Sequence, residues 1–184
     1  PELSVGPFET WKYQRNIVNR YFKSLGWEEL ANINVNQKTW GDGPYGREKL
    51  FVGESGQNRN MLTTNAVARL LHSIIGGVAV SSSKSQEMME LLKRNLEQPE
   101  LEDNSEENQV QGFLGAGLPW NAKLWSKAGW TSQVRHDAAY IEIPGSNPYL
   151  LIVFTEGQKN SQNREILPFI SQKFAQSIIH QLEI

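Results

Sequence analysis

Three consecutive residues, Lys127-Ala128-Gly129, carry the strongest indication of chemistry in this sequence. They lie in the apolar segment 124–131, whose composition predicts a β-strand. A lysine amine beside backbone N–H groups that a glycine leaves accessible can hold a carboxylate and stabilise a developing oxyanion. We therefore predict that this strand forms one wall of a site for acyl transfer.

A charged triplet, Arg135-His136-Asp137, opens the next predicted strand. Consecutive residues of a strand point alternately to opposite faces, so these three side chains cannot meet at one point. We therefore predict a structural role for them, in which Asp137 holds a turn or pairs with Arg135. No two histidines have the spacing of metal ligands, and the sequence predicts neither a metal site nor a cofactor.

Ser81 and Lys84 stand in a Ser-x-x-Lys arrangement, the spacing of a nucleophile and its base in penicillin-recognising enzymes. That chemistry needs the first turn of a buried helix, where the amine meets the hydroxyl. Here the pair lies in a serine-rich connection between two amphipathic helices, where serines form turns and caps. We interpret the match as coincidental and expect Ser85 to cap the following helix.

Composition excludes several classes of protein. The 184 residues include six tryptophans and 39% hydrophobic residues, which indicates an ordered globular chain. A net charge of -2 without a basic stripe predicts no nucleic-acid partner, and no apolar run is long enough to span a membrane. The absence of cysteine rules out disulfides, thiolate zinc sites and a cysteine nucleophile. Oligomeric state and cellular compartment stay open.

The order of elements predicts an α+β protein, with helices followed by a three-stranded antiparallel meander and a C-terminal helix. Residues 1–184 are expected to form a single domain. Its parts are a helix plus a long loop at 1–60, helices at 61–110, and the sheet with the last helix at 111–184. The predicted helices and strands lie at 9–25, 64–75, 85–96, 124–131, 138–143, 149–155 and 165–182.

Taken in order, these segments resemble the C-terminal portion of the class A serine β-lactamase and penicillin-binding protein superfamily. Residues 61–71 resemble the helix after the family's Ω loop, and residues 85–96 the helix that follows. Lys127-Ala128-Gly129 falls where the family has Lys-Thr/Ser-Gly, and residues 149–157 are similar to its last strand. The resemblance implies a serine hydrolase, of β-lactamase or DD-peptidase type, that is acylated by β-lactams or peptidoglycan peptides. It implies a periplasmic or extracytoplasmic location.

The same resemblance assigns a substrate-binding strand. Lys127 would bind the substrate carboxylate, Gly129 would allow close packing, and the backbone N–H of Trp130 would contact the oxyanion. The substrate-binding residues expected from it are Lys127, Ala128, Gly129, Trp130 and Thr131.

The chain departs from the family pattern in three places. No Ser-Asp-Asn precedes the helix at Asn16, the Glu-x-x-Leu-Asn of the Ω loop is absent, and Ala128 replaces a hydroxyl. Losing one such hydrogen bond costs on the order of 1 kcal/mol. We therefore expect an incomplete β-lactamase-like fold that is part of a longer protein, with the nucleophile outside this chain and the chain alone inactive. The alternatives are a non-catalytic β-lactamase-like binding or structural domain, and a likeness of architecture only.

Overall fold

The structure is a computed structural model, and it describes residues 6–36, 43–97 and 108–180. Its backbone contacts divide the chain into two compact units, Pro1–Ala66 and Val67–Ile184. The expectation of one domain with three parts stays a prediction.

In its described residues, the first unit contains three complete α-helices, where the sequence predicted one helix followed by a long loop. They are α1 (Phe8–Arg15), α2 (Ile17–Ser24) and α3 (Gly46–Val52), with a short 3-10 turn at Glu28–Leu30. The predicted helix 9–25 breaks at Asn16, whose ψ is 14°. The Asn16 side chain donates to the Lys12 carbonyl, the local hydrogen bond by which asparagine competes with a continuous helix. The predicted long loop lies partly outside the described residues.

Asparagine side chains tie the connecting segment of this unit together. Asn36 is only 4% exposed, and its amide donates to the side-chain oxygens of Asn34 and Asn58 at 2.6 and 2.9 Å. Asn19 on α2 accepts the Val35 N–H at 2.6 Å. Buried amides bonded in this way fix a segment that has few apolar side chains to pack.

Two capped helices follow, α4 (Thr64–Ile75) and α5 (Ser82–Leu92). Thr63 accepts the Ala66 N–H at 3.1 Å and so caps α4. The residue that caps α5 is Ser81, not Ser85 as expected, because Ser81 Oγ accepts the Lys84 N–H at 3.2 Å. Ser85 is buried one turn further on, where its hydroxyl donates to the Ala79 carbonyl.

The second unit is built on an antiparallel sheet of order β1-β2-β3-β4. The α+β class and the predicted meander are confirmed, and a fourth strand of two residues is added at one edge. Strand β3 begins four residues earlier than the predicted 138, so the charged triplet lies inside it. The strands are β1 (Lys93–Arg94), β2 (Lys123–Trp130), β3 (Val134–Glu142) and β4 (Tyr149–Glu156).

One face of this sheet packs against the 3-10 turn Leu114–Gly117 and the last helix, and these elements enclose the core. The helices after the sheet are α6 (Gln158–Gln162) and α7 (Ile166–His180), close to the predicted 165–182, of which residues 181 and 182 lie outside the described part. Strand β2 alternates as a half-buried strand should, with Leu124, Ser126 and Ala128 inward. None of the described helices has the length and apolar character needed to cross a bilayer.

Candidate functional site

The Lys127 side chain lies on the outer, exposed face of β2. Its amine donates to Gln109 Oε1 at 3.3 Å and also to the carbonyl of Ala128. Partial desolvation lowers the pKa of Lys127, the nearby Arg94 lowers it further, and Asp137 opposes the shift. The amine is therefore held beside its own strand by neutral acceptors, which leaves its charge available to an anion.

The edge of β2 next to Lys127 is open. Strand β1 pairs only with Leu124 and Trp125, so within the described chain no strand covers β2 beyond that point. Thr131 donates to the Val134 carbonyl at 2.9 Å. Because backbone groups alternate along an antiparallel strand, the N–H of Trp130 then points away from β3, toward the open edge. This is the direction that the predicted oxyanion contact requires.

The five predicted substrate-binding residues divide between this edge and the core. Ala128 is 2% exposed and its methyl group lies among the core residues, so only its backbone reaches the edge. Trp130 is 38% exposed, with its ring 5.4 Å from that of Phe113. The Thr131 hydroxyl accepts two N–H groups of the β2–β3 turn, which leaves its proton free to donate. Their assignment as substrate-binding residues stays a prediction.

Arg94 adds a second cation to the open edge. Its Nη2 donates to the Ser126 carbonyl at 2.9 Å and to Gln109 Oε1 at 3.1 Å. Burial lowers the pKa of Arg94, while Asp137 opposes that shift. Arg94 lies in the two-residue strand β1, which sequence periodicity does not detect, so the sequence analysis missed it.

Asp137 is fully buried on the inner face of β3, opposite Ala128 of β2. One carboxylate oxygen accepts the Leu114 N–H at 3.0 Å, and the other has no hydrogen-bond partner. Burial raises the pKa of Asp137 to about 7, although Leu114, Ala138, Arg94 and Lys127 all favour the charged form. Asp137 therefore holds the turn before β2, which is one of its two predicted roles. The other predicted role, an ion pair with Arg135, is wrong, because no ion pair joins these two described residues.

Arg135 is the functional candidate that sequence reasoning placed in a structural role. It is 8% exposed, and its guanidinium donates to the carbonyls of Ser161 at 2.8 Å and Gly112 at 3.4 Å. Within the described residues it makes no ion pair with a carboxylate. Burial lowers the pKa of Arg135, and neighbouring Arg164 lowers it further. A buried charge without a counterion is costly, so an arginine in this state favours an anionic ligand.

A cavity of about 360 Å³ gives a ligand access to this arginine. Within residues 6–36, 43–97 and 108–180, no acidic residue lines it, and its lining includes two arginines and two predicted substrate-binding residues. The lining residues are Asn108, Phe113, Trp130, Thr131, Ser132, Arg135, Ser161, Gln162 and Arg164. The cavity therefore joins the open end of β2 to a positively charged pocket of a size that suits a small carboxylate.

The Ser-x-x-Lys pair does not have the geometry of a nucleophile and its base. Both residues are exposed, and the Lys84 amine pairs with Glu87 at 2.7 Å rather than with Ser81. Ser81 acts as the α5 cap. The interpretation of the motif as coincidental agrees with these contacts.

Replacing Ser81 with alanine should therefore lower the stability of the chain without affecting a catalytic step. Loss of the cap is expected to reduce the free energy of unfolding by about 1 kcal/mol, measured by urea denaturation. Lys84→Ala is the control, because it removes only an exposed ion pair and should change stability by less than about 0.5 kcal/mol. Nitrocefin turnover by this chain that disappears in Ser81→Ala would contradict the assignment.

Comparisons with solved structures place this geometry in a known fold. A β-lactamase from Sphaerobacter thermophilus superposes with a TM-score of 0.62 at 20% identity, covering 88% of this chain and 52% of that one. A PBP-A mutant, solved as its acyl-enzyme complex with penicillin G, gives 0.58 at 17% identity, covering 87% and 50%. The reconstructed class A β-lactamase of the last common ancestor of Gram-negative bacteria gives 0.56 at 19%, covering 87% and 53%.

These identities are low, so the likenesses show the fold alone, and the chain spans about half the length of the solved structures it matches. No curated protein sequence matches it. The predicted resemblance is confirmed at the level of the family, because the family model described as "Beta-lactamase enzyme family" matches residues 12–178. The chain belongs to the β-lactamase enzyme family.

Proposed function

We propose that this chain supplies the carboxylate-binding and oxyanion wall of a serine hydrolase that is acylated by β-lactams or peptidoglycan peptides. The observation that carries the proposal is a buried arginine that has no carboxylate partner among the described residues, in a cavity that opens at the free end of β2. Such substrates carry a carboxylate near the carbonyl group that is attacked. The family membership and the PBP-A acyl-enzyme with penicillin G support the same substrate class.

Each residue of this wall has a distinct task in that proposal. Arg135 binds the substrate carboxylate, which orients the scissile carbonyl along the edge of β2. Lys127, on the opposite face of the sheet, adds positive potential at that edge and so attracts the anionic substrate. When a serine hydroxyl attacks the carbonyl carbon, its oxygen gains negative charge, and the Trp130 N–H donates to it. The C–N bond then breaks and the nitrogen leaves with a proton. The serine and its base lie outside this chain.

Replacing Lys127 with alanine tests the electrostatic part of this proposal. In the full-length protein, the rate constant for labelling by a fluorescent penicillin should fall about 30-fold, because an electrostatic attraction of about 2 kcal/mol for the anionic substrate is lost. Lys123→Ala is the matched control, since Lys123 lies on the same strand and pairs with Glu142 at 3.4 Å. Equal rates for the two variants would contradict the role of Lys127.

A second candidate is a non-catalytic domain that binds the same ligands reversibly. Two observations favour it. Ala128 has no hydroxyl group that could bind a ligand. In the chain's own Ser-x-x-Lys pair, Ser81 caps α5 and Lys84 forms a surface ion pair with Glu87. Intact-mass spectrometry of the full-length protein with benzylpenicillin separates the two. A covalent adduct establishes the hydrolase, whereas saturable binding without an adduct establishes the binding domain.

A further inference from the structure

We propose that a second groove on this chain, between β1, β2 and the loop before β2, binds an oligosaccharide. The groove has a volume of about 520 Å³, within the range of ligand pockets. It lies on the β1 side of β2, whereas the proposed carboxylate pocket lies at the other end of that strand. Binding in it does not require the acylation proposed above.

The first observation is an indole side chain that is not part of the hydrophobic core of the described residues. Trp120 is 86% exposed and packs into no core cluster, which is unusual for so large an apolar side chain. It shares the groove with Trp125, which is partly exposed and packs in a tilted arrangement against Tyr140, with ring centroids 5.4 Å apart. The groove therefore contains the exposed indole of Trp120 and the indole of Trp125, which its contact with Tyr140 holds in place. Flat aromatic rings of this kind suit the C–H face of a pyranose ring.

The second observation is the charge balance of the groove. In the described part of its lining, three cations, Lys93, Arg94 and Lys123, are matched by two carboxylates, Glu97 and Glu142. Such a lining does not favour a polyanion or a polycation. Together with the two indoles, it favours a ligand that is nearly neutral and rich in hydroxyl groups.

The polar groups of the groove are already fixed in position. Asn95 donates to Glu97 at 3.2 Å and accepts the Glu97 N–H at 3.0 Å. Glu142 accepts from the Tyr140 hydroxyl at 3.1 Å and pairs with Lys123 at 3.4 Å. Each carboxylate keeps oxygen lone pairs for sugar hydroxyls. Because these side chains are held before binding, the entropy cost of ordering them on binding is small.

The position of the groove also suits a polymer. Trp125 and Lys127 lie on the same face of β2, two residues and therefore about 7 Å apart. A glycan chain seated on Trp125 would run toward the open edge of the strand. A saccharide that carries a peptide could then reach both the groove and the carboxylate pocket.

The test uses the 184-residue chain with two probes, chitotetraose and cellotetraose, and follows tryptophan fluorescence together with isothermal titration calorimetry. Saturable binding of either probe is expected, weakened about tenfold or more in Trp120→Ala and partly restored in Trp120→Phe. Because Trp120 is so exposed, its replacement should leave thermal stability unchanged.

Tyr45→Ala is the control, since Tyr45 is an exposed aromatic residue of the first unit and should not affect binding. The absence of binding at millimolar concentrations of both tetrasaccharides would overturn the proposal, as would equal affinities for the wild type and Trp120→Ala. Neither result bears on acylation, which the penicillin experiments decide separately.

Discussion

The wild-type chain should lose stability as the pH rises from 4 to 8, and replacing Asp137 with asparagine should remove most of that loss. In the folded chain, burial raises the pKa of Asp137 to about 7, so it keeps its proton where the unfolded chain has lost it. Its stabilising contribution is full below its ordinary pKa and is lost as the pH rises through 7. The expected size is on the order of 4 kcal/mol. Urea denaturation across this pH range measures it.

Two comparisons sharpen the Asp137 experiment. His136, whose pKa is lowered by burial, titrates nearby in both proteins, so its effect cancels in the difference between the wild type and Asp137→Asn. Asp137→Ala is the second variant: it also removes the acceptor of the Leu114 N–H and should be less stable than Asp137→Asn at every pH. Parallel pH profiles for the wild type and Asp137→Asn would show that Asp137 is not the titrating group.

The order of elements could be predicted from the sequence because each long element repeats its apolar residues at its own period. Strands β2 and β4 lie within a residue or two of the predicted 124–131 and 149–155, and α7 lies close to the predicted 165–182. The break at Asn16 could not be predicted in this way, since the apolar residues on its two sides keep a helical spacing. Strand β1 has only two residues, too few for any period to be detected.

The candidate site could be predicted only along the strand that carries it. Lys127 and Trp130 lie three positions apart on β2, so the alternation of the strand is enough to place the lysine side chain and the Trp130 N–H. Arg94 and Gln109 reach the same edge from distant positions in the chain, and this convergence depends on tertiary packing. Alternation correctly placed Arg135 and His136 on opposite faces of β3. The role of Arg135, however, depends on its burial and on having no carboxylate partner among the described residues, and no local sequence pattern shows either property.

Replacing Arg135 with methionine should remove most of the discrimination between a carboxylate ligand and its ester. We expect the wild-type chain to bind benzylpenicillin about tenfold or more tightly than its methyl ester, because a buried guanidinium bonded to a carboxylate contributes about 1.5–3 kcal/mol. In Arg135→Met the ratio of the two affinities should fall close to one, with only the attraction by Lys127 remaining. NMR titration of the 184-residue chain measures both without requiring acylation.

Arg135→Met should leave the free energy of unfolding unchanged or raise it. Because ligand discrimination should fall in the same variant, the two measurements distinguish a role in binding from a role in folding. A buried charge without a counterion costs desolvation energy, and an apolar side chain of similar volume removes that cost. The lost hydrogen bonds to the Ser161 and Gly112 carbonyls offset part of the gain. Arg135→Lys should retain only part of the discrimination, since an ammonium cannot form the bidentate contact. Lys159→Met, which removes an exposed cation of α6, should change neither quantity. A large loss of stability in Arg135→Met, with ester discrimination intact, would show that the arginine serves the fold and not the ligand.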